Sequence, residues 1–120
     1  MVAALAGCGT PSAGPADAVT AFRAALGGGD GAAACDLLVP TVVDELEADA
    51  ALPCAQAVLG LDLPSAGDAI PTVRVAGRQA LAHAADDVLF LTEDGTTWKI
   101  TAAGCVPRAD RPYDCTIGGS

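Results

Sequence analysis

Cysteine is the residue type in this sequence with the most chemistry to offer, and its five copies are widely spaced: Cys8, Cys35, Cys54, Cys105 and Cys115. No two of them form a C-x-x-C pair, so the usual spacings of zinc sites and thioredoxin-like motifs are missing. A nucleophilic thiol needs a basic neighbourhood that lowers its pKa. The only imidazole in the chain is that of His83, and the pattern therefore argues against a catalytic cysteine.

Three further motifs resemble binding sites only superficially. Asp86-Asp87 looks like a metal pair, but adjacent strand residues point to opposite faces of a sheet, which favours a turn. Glu93-Asp94-Gly95 lacks the other oxygen ligands of an EF-hand loop. The glycine-rich stretch 27–31 lacks the Lys-Ser/Thr of a phosphate loop, which favours a helix stop and restart. We therefore predict no metal ligands and no cofactor. A lone His83 beside alanine is predicted to be either a surface residue or a residue whose hydrogen bonds are satisfied within the fold.

The composition of the chain limits its partners. It has 120 residues, enough for one domain, and 15 acidic residues against 6 basic ones give a formal net charge of -9. Nucleic acid and anionic lipid both require a basic footprint, so binding to either by charge is excluded. The acidic residues are scattered, which favours a role in solubility. Because aromatic residues are scarce and the core must use small side chains, covalent cross-links would add needed stability.

The stretch Leu5-Ala6-Gly7-Cys8 gives one cysteine a role of its own. It resembles the lipobox of bacterial lipoproteins, in which Leu, two small residues and an invariant Cys end the signal peptide. The resemblance implies that residues 1–7 are a signal-peptide remnant and that Cys8 carries a lipid anchoring the protein to the outer face of the cell membrane. Residues 8–15 would then form the lipidated tether, and their Gly, Pro and Ser content suits a flexible linker.

The leader is short for this role. A signal peptide has a basic region and roughly 7–15 apolar residues, whereas residues 1–7 contain no Lys or Arg. The expectation is that the natural start lies upstream of Met1 or that the leader was trimmed. In the alternative, Cys8 is a free thiol in an amino-terminal tail.

With Cys8 as the anchor, four cysteines remain, and an oxidising compartment would pair them. Four cysteines allow three pairings. Cys35–Cys54 and Cys105–Cys115 are favoured, because each pair is close in sequence and lies in one half of the chain. A disulfide that closes a loop of about 15 residues stabilises a fold by roughly 3 kcal/mol. The sequence does not exclude the two crossed pairings.

The apolar period changes from helical to strand-like in the middle of the chain. The first half predicts four helices: one capped by Asp17, one over 31–38 after Asp30, one over 41–49 and one over Cys54–Leu59. The second half predicts strands over 70–75, Gln79–Ala84, 88–92, 97–102 and 113–117, with a hairpin turn at Asp94-Gly95. Trp98, Ile100 and Ala102 are predicted to share one face. This order predicts an α+β fold with helices on one face of an antiparallel sheet.

The helical half resembles the opening of the NTF2-like (cone-shaped α+β) superfamily. There a helix with V-x-x-F-x-x-A-L meets a Gly-Asp turn, and a second helix ends in an apolar pair. The matching positions are Val19, Phe22, Ala25, Leu26, Gly29, Asp30, Leu37 and Leu38. The resemblance implies that residues 16–120 form one NTF2-like/cystatin-like domain, with a curved sheet and a pocket between helices and sheet.

The carboxyl-terminal pattern resembles small actinobacterial lipoproteins of unassigned function that end in W-K-I…GC…PYDC. Its positions here are Trp98, Lys99, Ile100, Gly104, Cys105, Tyr113, Asp114 and Cys115. Together the resemblances imply a secreted, membrane-anchored lipoprotein with a non-catalytic binding role. Its ligand would be a small apolar molecule in the cone or another envelope protein, and the oligomeric state stays open.

The envelope-protein version depends on the loop that a Cys105–Cys115 bridge would close, which contains Arg108, Asp110, Arg111 and Asp114. The alternative for this loop is a solvated surface with local ion pairs. An enzyme, either an isomerase or a hydrolase, would need His83 or a carboxylate in the cone. Ketosteroid isomerases of this superfamily use an Asp base and acidic hydrogen-bond donors deep in the cone, which this sequence matches poorly.

Overall fold

A computed structural model of the chain describes residues 14–65, 71–84, 86–110 and 112–118. Within these residues four helices are followed by a five-stranded antiparallel sheet, which is the predicted α+β order. The helices are α1 (Pro15–Gly27), α2 (Gly31–Asp36), α3 (Pro40–Ala50) and α4 (Cys54–Leu59). The strands are β1 (Thr72–Ala76), β2 (Gln79–Ala84), β3 (Asp87–Asp94), β4 (Thr97–Pro107) and β5 (Tyr113–Gly118). The predicted lipidation site Cys8, and Arg111, lie outside the described residues.

Helix α1 begins earlier than predicted. Its N-cap is Gly14 and not Asp17, because Pro15 takes the first helical position, where its missing N–H costs nothing. Asp17 lies in the first turn instead, and its Oδ2 accepts the N–H of Gly14 at 3.3 Å. Asp30 caps α2 as predicted, its Oδ1 accepting the N–H of Ala33 at 3.1 Å.

Helix α2 ends two residues sooner than predicted, because the chain after it pairs with β4. The N–H of Ile100 donates to the carbonyl of Leu37 at 2.7 Å, and the N–H of Val39 donates to that of Ile100 at 3.1 Å. Strand β5 pairs with β4 only from Ala102 onward. The segment 37–39 therefore covers the stretch of β4 edge that β5 leaves open, and backbone groups there find partners.

The strands follow one another in space in the order β1-β2-β3-β4-β5. A bulge interrupts β4, since Leu91 lies opposite Ile100 but Phe90 lies opposite Ala102, which leaves Thr101 as the extra residue. The prediction that Ala102 shares a face with Ile100 is therefore wrong. Past the bulge Ala103 joins the helix-facing core, while Ala102 turns to the opposite side with Phe90.

The helices pack on one face of the sheet, here called the inner face. The largest side chains buried between helices and sheet come from both layers, and all are at most 1 % exposed: Val19, Phe22, Val58, Leu89, Leu91 and Ile100. At the amino end of α2, a Cβ on Gly31 would lie 2.0 Å from the carbonyl oxygen of Ala55 in α4. The two helices therefore touch through backbone. The described helices are all too short or too polar to cross a membrane.

The structure contains two disulfides, Cys35–Cys54 and Cys105–Cys115, which are the pairs favoured from the sequence. The first joins α2 to α4 with 6.2 Å between the Cα atoms. The second joins β4 to β5 at directly opposed positions of the ladder. Each layer thus has one covalent cross-link of its own.

Candidate functional site: the outer face of the sheet

Histidine and aspartate are the residue types most suited to acid-base chemistry, and the structure places them in different environments. His83 lies on β2 with its side chain exposed. Asp86 is exposed in the turn before β3, and Asp87, the first residue of that strand, is buried. The turn predicted for this pair is therefore present at Asp86 only. His83 and the buried carboxylate are not brought together in any contact among the described residues.

Asp87 belongs to a buried polar cluster with Arg23 of α1. Its Oδ1 accepts the N–H of Val88 at 2.7 Å. Burial raises the pKa of Asp87, while the backbone groups of Val88, Cys105 and Gly104 and the charge of Arg23 act in the opposite direction. The carboxylate thus faces the backbone of β4 beyond the bulge.

Arg23 connects this cluster to two other segments. Its Nη2 lies 2.9 Å from Oδ1 of Asp86, and its Nη1 donates to the carbonyl of Pro64 at 3.2 Å. The residue is only 7 % exposed although it is charged. Buried charges are stable when they are paired and hydrogen-bonded, so the cluster clamps α1 to the β2–β3 turn. These contacts fit a structural role, because they connect the helical layer to the sheet.

The predicted partner loop holds an ion pair of its own. Nη2 of Arg108 lies 2.8 Å from Oδ2 of Asp114, and both side chains are about half exposed. Asp110 is exposed nearby. Exposed pairs of this kind contribute roughly 0–1 kcal/mol. The structure therefore brings two of the four loop residues together, as a surface contact. Across the described residues, no group of three or more His, Cys, Asp or Glu side chains could hold a metal ion.

The space between helices and sheet, where the resemblance implies a pocket, holds large side chains. Phe22 of α1 lies there with Leu89, Leu91 and Ile100 of the sheet. These side chains belong to the core of the domain and are at most 1 % exposed. A ligand entering that layer would have to displace them.

Two cavities open on the opposite face of the sheet, here called the outer face, and they share Gln79 and Phe90. One, of about 370 Å³, extends past Ala102 to Tyr113. The other, of about 430 Å³, extends past Leu81 to Arg74. Together these six residues define what we call the outer groove. Both volumes fall in the range of small-molecule sites, and the lining is mostly apolar.

The floor of the outer groove is held by specific contacts. The rings of Phe90 and Tyr113 meet edge to face, 5.3 Å between centroids, an arrangement that aromatic quadrupoles favour. Nε2 of Gln79 donates to Oγ1 of Thr92 at 3.1 Å. Cys115 also lines the groove, so the Cys105–Cys115 bridge holds β5, and with it Tyr113, against Phe90.

Two other cavities differ from the outer groove in charge. One lies between α3 and β5 and is lined by Glu45 and Asp49. Another lies between α1 and the β3–β4 hairpin and is lined by Asp17. Among the described residues, no acidic side chain lines either cavity of the outer groove. In a chain with 15 acidic residues, this separates the outer groove from the rest of the surface.

Sequence reasoning did not identify the outer groove. Leu81 and Phe90 alternate with Ala82, Leu89 and Leu91, which are buried on the inner face. Such an apolar run does not reveal which residues face outward. A scan against protein-family models, a search of the curated proteins and a search of the solved structures each found no match to this chain.

Proposed function

We propose that this chain is an extracytoplasmic lipoprotein domain of the NTF2-like class, anchored through Cys8, with a non-catalytic binding role. The helices-then-sheet order with helices on one face supports the class. Two disulfides in 120 residues support an oxidising compartment. The tetrapeptide ending in Cys8 supports the anchor.

The observation that carries the binding role is the uncovered apolar outer groove. Phe90, Leu81 and Tyr113 are only partly buried, and they form the floor and one wall of adjoining cavities. Concave surface with a mostly apolar lining is typical of small-molecule binding sites. A small apolar molecule would therefore bind on the outer face, while the inner face remains the core.

Two observations weigh against an enzyme and against the β4–β5 loop as a partner surface. The carboxylate of Asp87 is buried and accepts the N–H of Val88, and His83 is exposed away from it, which favours binding over catalysis. Arg108 and Asp114 already satisfy each other, which favours the groove over the β4–β5 loop as the binding surface.

The anchor is tested by the intact mass of the protein extracted from membranes of its native host, before and after reduction. The expected species begins at a lipid-modified Cys8 and gains four hydrogens on reduction, two for each disulfide. A protein that retains Met1 and an unmodified Cys8 would remove the anchor from the proposal.

The binding role is tested by thermal-shift measurements with a panel of apolar small molecules. A ligand that binds only the native state raises Tm by an amount that grows with the logarithm of the ligand concentration above Kd. We expect at least one ligand to raise Tm and Phe90→Ala to abolish the shift, whereas Val106→Ala, an exposed apolar residue outside the groove, leaves it unchanged. Equal shifts in all three proteins would place binding elsewhere.

A further inference from the structure

We infer that the outer groove binds a single-chain amphiphile with an anionic head, of the fatty-acid class, with its apolar chain over Phe90 and its carboxylate at Arg74. This inference rests on the proposed binding role and specifies its ligand. It is carried by the geometry of one row of side chains and by the distribution of charge around that row.

The row runs straight across four strands. Arg74 lies directly opposite Leu81, Leu81 opposite Phe90, and Phe90 opposite Ala102. Directly opposed residues share a face, and neighbouring strands lie about 4.8 Å apart, so the row is about 14 Å long. It leads from a guanidinium over apolar side chains toward the Tyr113 ring. An unbranched hydrocarbon chain matches this linear row.

The charged side chains around the outer groove indicate a ligand with an anionic head group. Arg74 is exposed and forms no ion pair with any described residue, and it is the only charged side chain among the described residues of the groove. The guanidinium presents donors that fit a carboxylate in bidentate fashion. Cationic molecules have acid-lined cavities elsewhere on the domain, at Glu45 and Asp49, but none here.

The same charge distribution disfavours a membrane surface as the occupant. A bilayer with anionic lipids attracts clusters of basic residues, at about 1 kcal/mol for each. Among the described residues of the groove there is one guanidinium, that of Arg74. A single anionic head group is satisfied by one Arg, whereas an anionic surface needs a cluster of basic residues.

The test compares dodecanoate with dodecan-1-ol, two probes that share a chain and differ in charge, both below their micellar concentrations. Binding is followed by calorimetry and by amide shifts in the isotope-labelled domain. We expect dodecanoate to bind more tightly and to shift the amides of Arg74, Leu81 and Phe90. Arg74→Gln should weaken dodecanoate binding about tenfold, the loss of one charge-assisted hydrogen bond, and leave dodecan-1-ol binding unchanged.

The matched control is Arg78→Gln, which removes the same charge from the β1–β2 turn, outside both cavities. It should change dodecanoate binding less than twofold. Equal effects of the two variants, or equal affinity for both probes, would overturn the anionic head group while leaving apolar binding in place. Absence of binding by both probes in the native protein would overturn the inference and, together with a flat thermal-shift panel, the proposed binding role. Binding to phosphatidylglycerol vesicles without binding of free dodecanoate would also overturn the inference.

Discussion

The helical half and the sheet half of this domain differ in their balance of acidic and basic residues. Residues 14–65 contain eight acidic side chains and one basic one, the buried Arg23, whereas the chain from residue 71 onward contains six acidic and five basic ones. The helices present an acidic surface to solvent and use their apolar side for the core. The sheet is nearly neutral and has apolar residues on both faces. The contrast shows that the negative charge of the chain is concentrated in the helical half, and that the proposed binding surface lies on the half that is nearly neutral.

The strongest test of this contrast compares two phenylalanines. Phe22 is 1 % exposed on the inner side, and Phe22→Ala should lower the free energy of unfolding by about 3–5 kcal/mol. Phe90 is only partly buried on the outer face, so Phe90→Ala should cost about 1 kcal/mol, a fraction of full burial. Urea denaturation measures both. Equal losses would mean that the outer face is as much a part of the core as the inner one.

Removal of the disulfides should separate stability from binding. The bridges close loops with sequence separations of 19 and 10, so replacing either pair by serine should cost about 3 kcal/mol. Only the Cys105→Ser/Cys115→Ser protein should also lose ligand binding at the outer groove, since it releases β5 and Tyr113. Denaturation and calorimetry below Tm check the two effects. Loss of binding in the Cys35→Ser/Cys54→Ser protein, at a temperature where it is folded, would contradict the assignment of the groove to the sheet half.

A smaller effect is expected where α2 meets α4. A Cβ on Gly31 would clash with the carbonyl of Ala55, whereas a Cβ on Gly60 would lie 3.6 Å from its nearest neighbour. Gly31→Ala should therefore cost about 1–3 kcal/mol through overpacking, and Gly60→Ala should stay within about 0.5 kcal/mol of the native protein. Thermal unfolding distinguishes them. Similar Tm values for the two variants would show that α2 and α4 can move apart at little cost in stability, despite their close backbone contact.

The smallest effect concerns pH and Asp87. Folding raises the pKa of this carboxyl through burial, so the folded state holds the proton more tightly than the unfolded one. Its stabilising contribution is complete below the unfolded pKa and is lost as the pH rises through the folded pKa. An amide at this position resembles the protonated acid but does not titrate, so Asp87→Asn should cost less stability at about pH 7 than at about pH 3. Denaturation at both pH values measures this, and a larger cost at neutral pH would show that Arg23 and the backbone donors outweigh burial.

The elements that sequence predicted best are those with local determinants. The bounds of α4 and β2 match the prediction at both ends, because Pro53 and Gly60 bracket the helix and turn residues bracket the strand. The favoured cysteine pairs also needed only closeness in sequence. The start of α1 was missed because Asp17 is a good cap but Pro15 is a better first residue.

The features that sequence did not predict depend on distant contacts. Helix α2 ends early because residues 37–39 pair with Ile100, a partner that no local pattern indicates. The bulge at Thr101 is followed by Ala102 and Ala103, and two alanines fit either face equally well, so the pattern carries no signal. The outer groove depends on both the bulge and the pairing of β5. Apolar periodicity predicts neither of these, so it does not predict the groove.

The pairing of residues 37–39 with Ile100 also sets an order of events during synthesis. The partner of this segment is made about 60 residues later, a delay of roughly 3–12 s at ordinary elongation rates of about 5–20 residues per second. Until β3 and β4 exist, Phe22 and Val19 have no sheet to cover them. The apolar side of the helical half therefore gains its cover only after β4 has been synthesised, so the amino-terminal layer cannot complete its core ahead of the sheet.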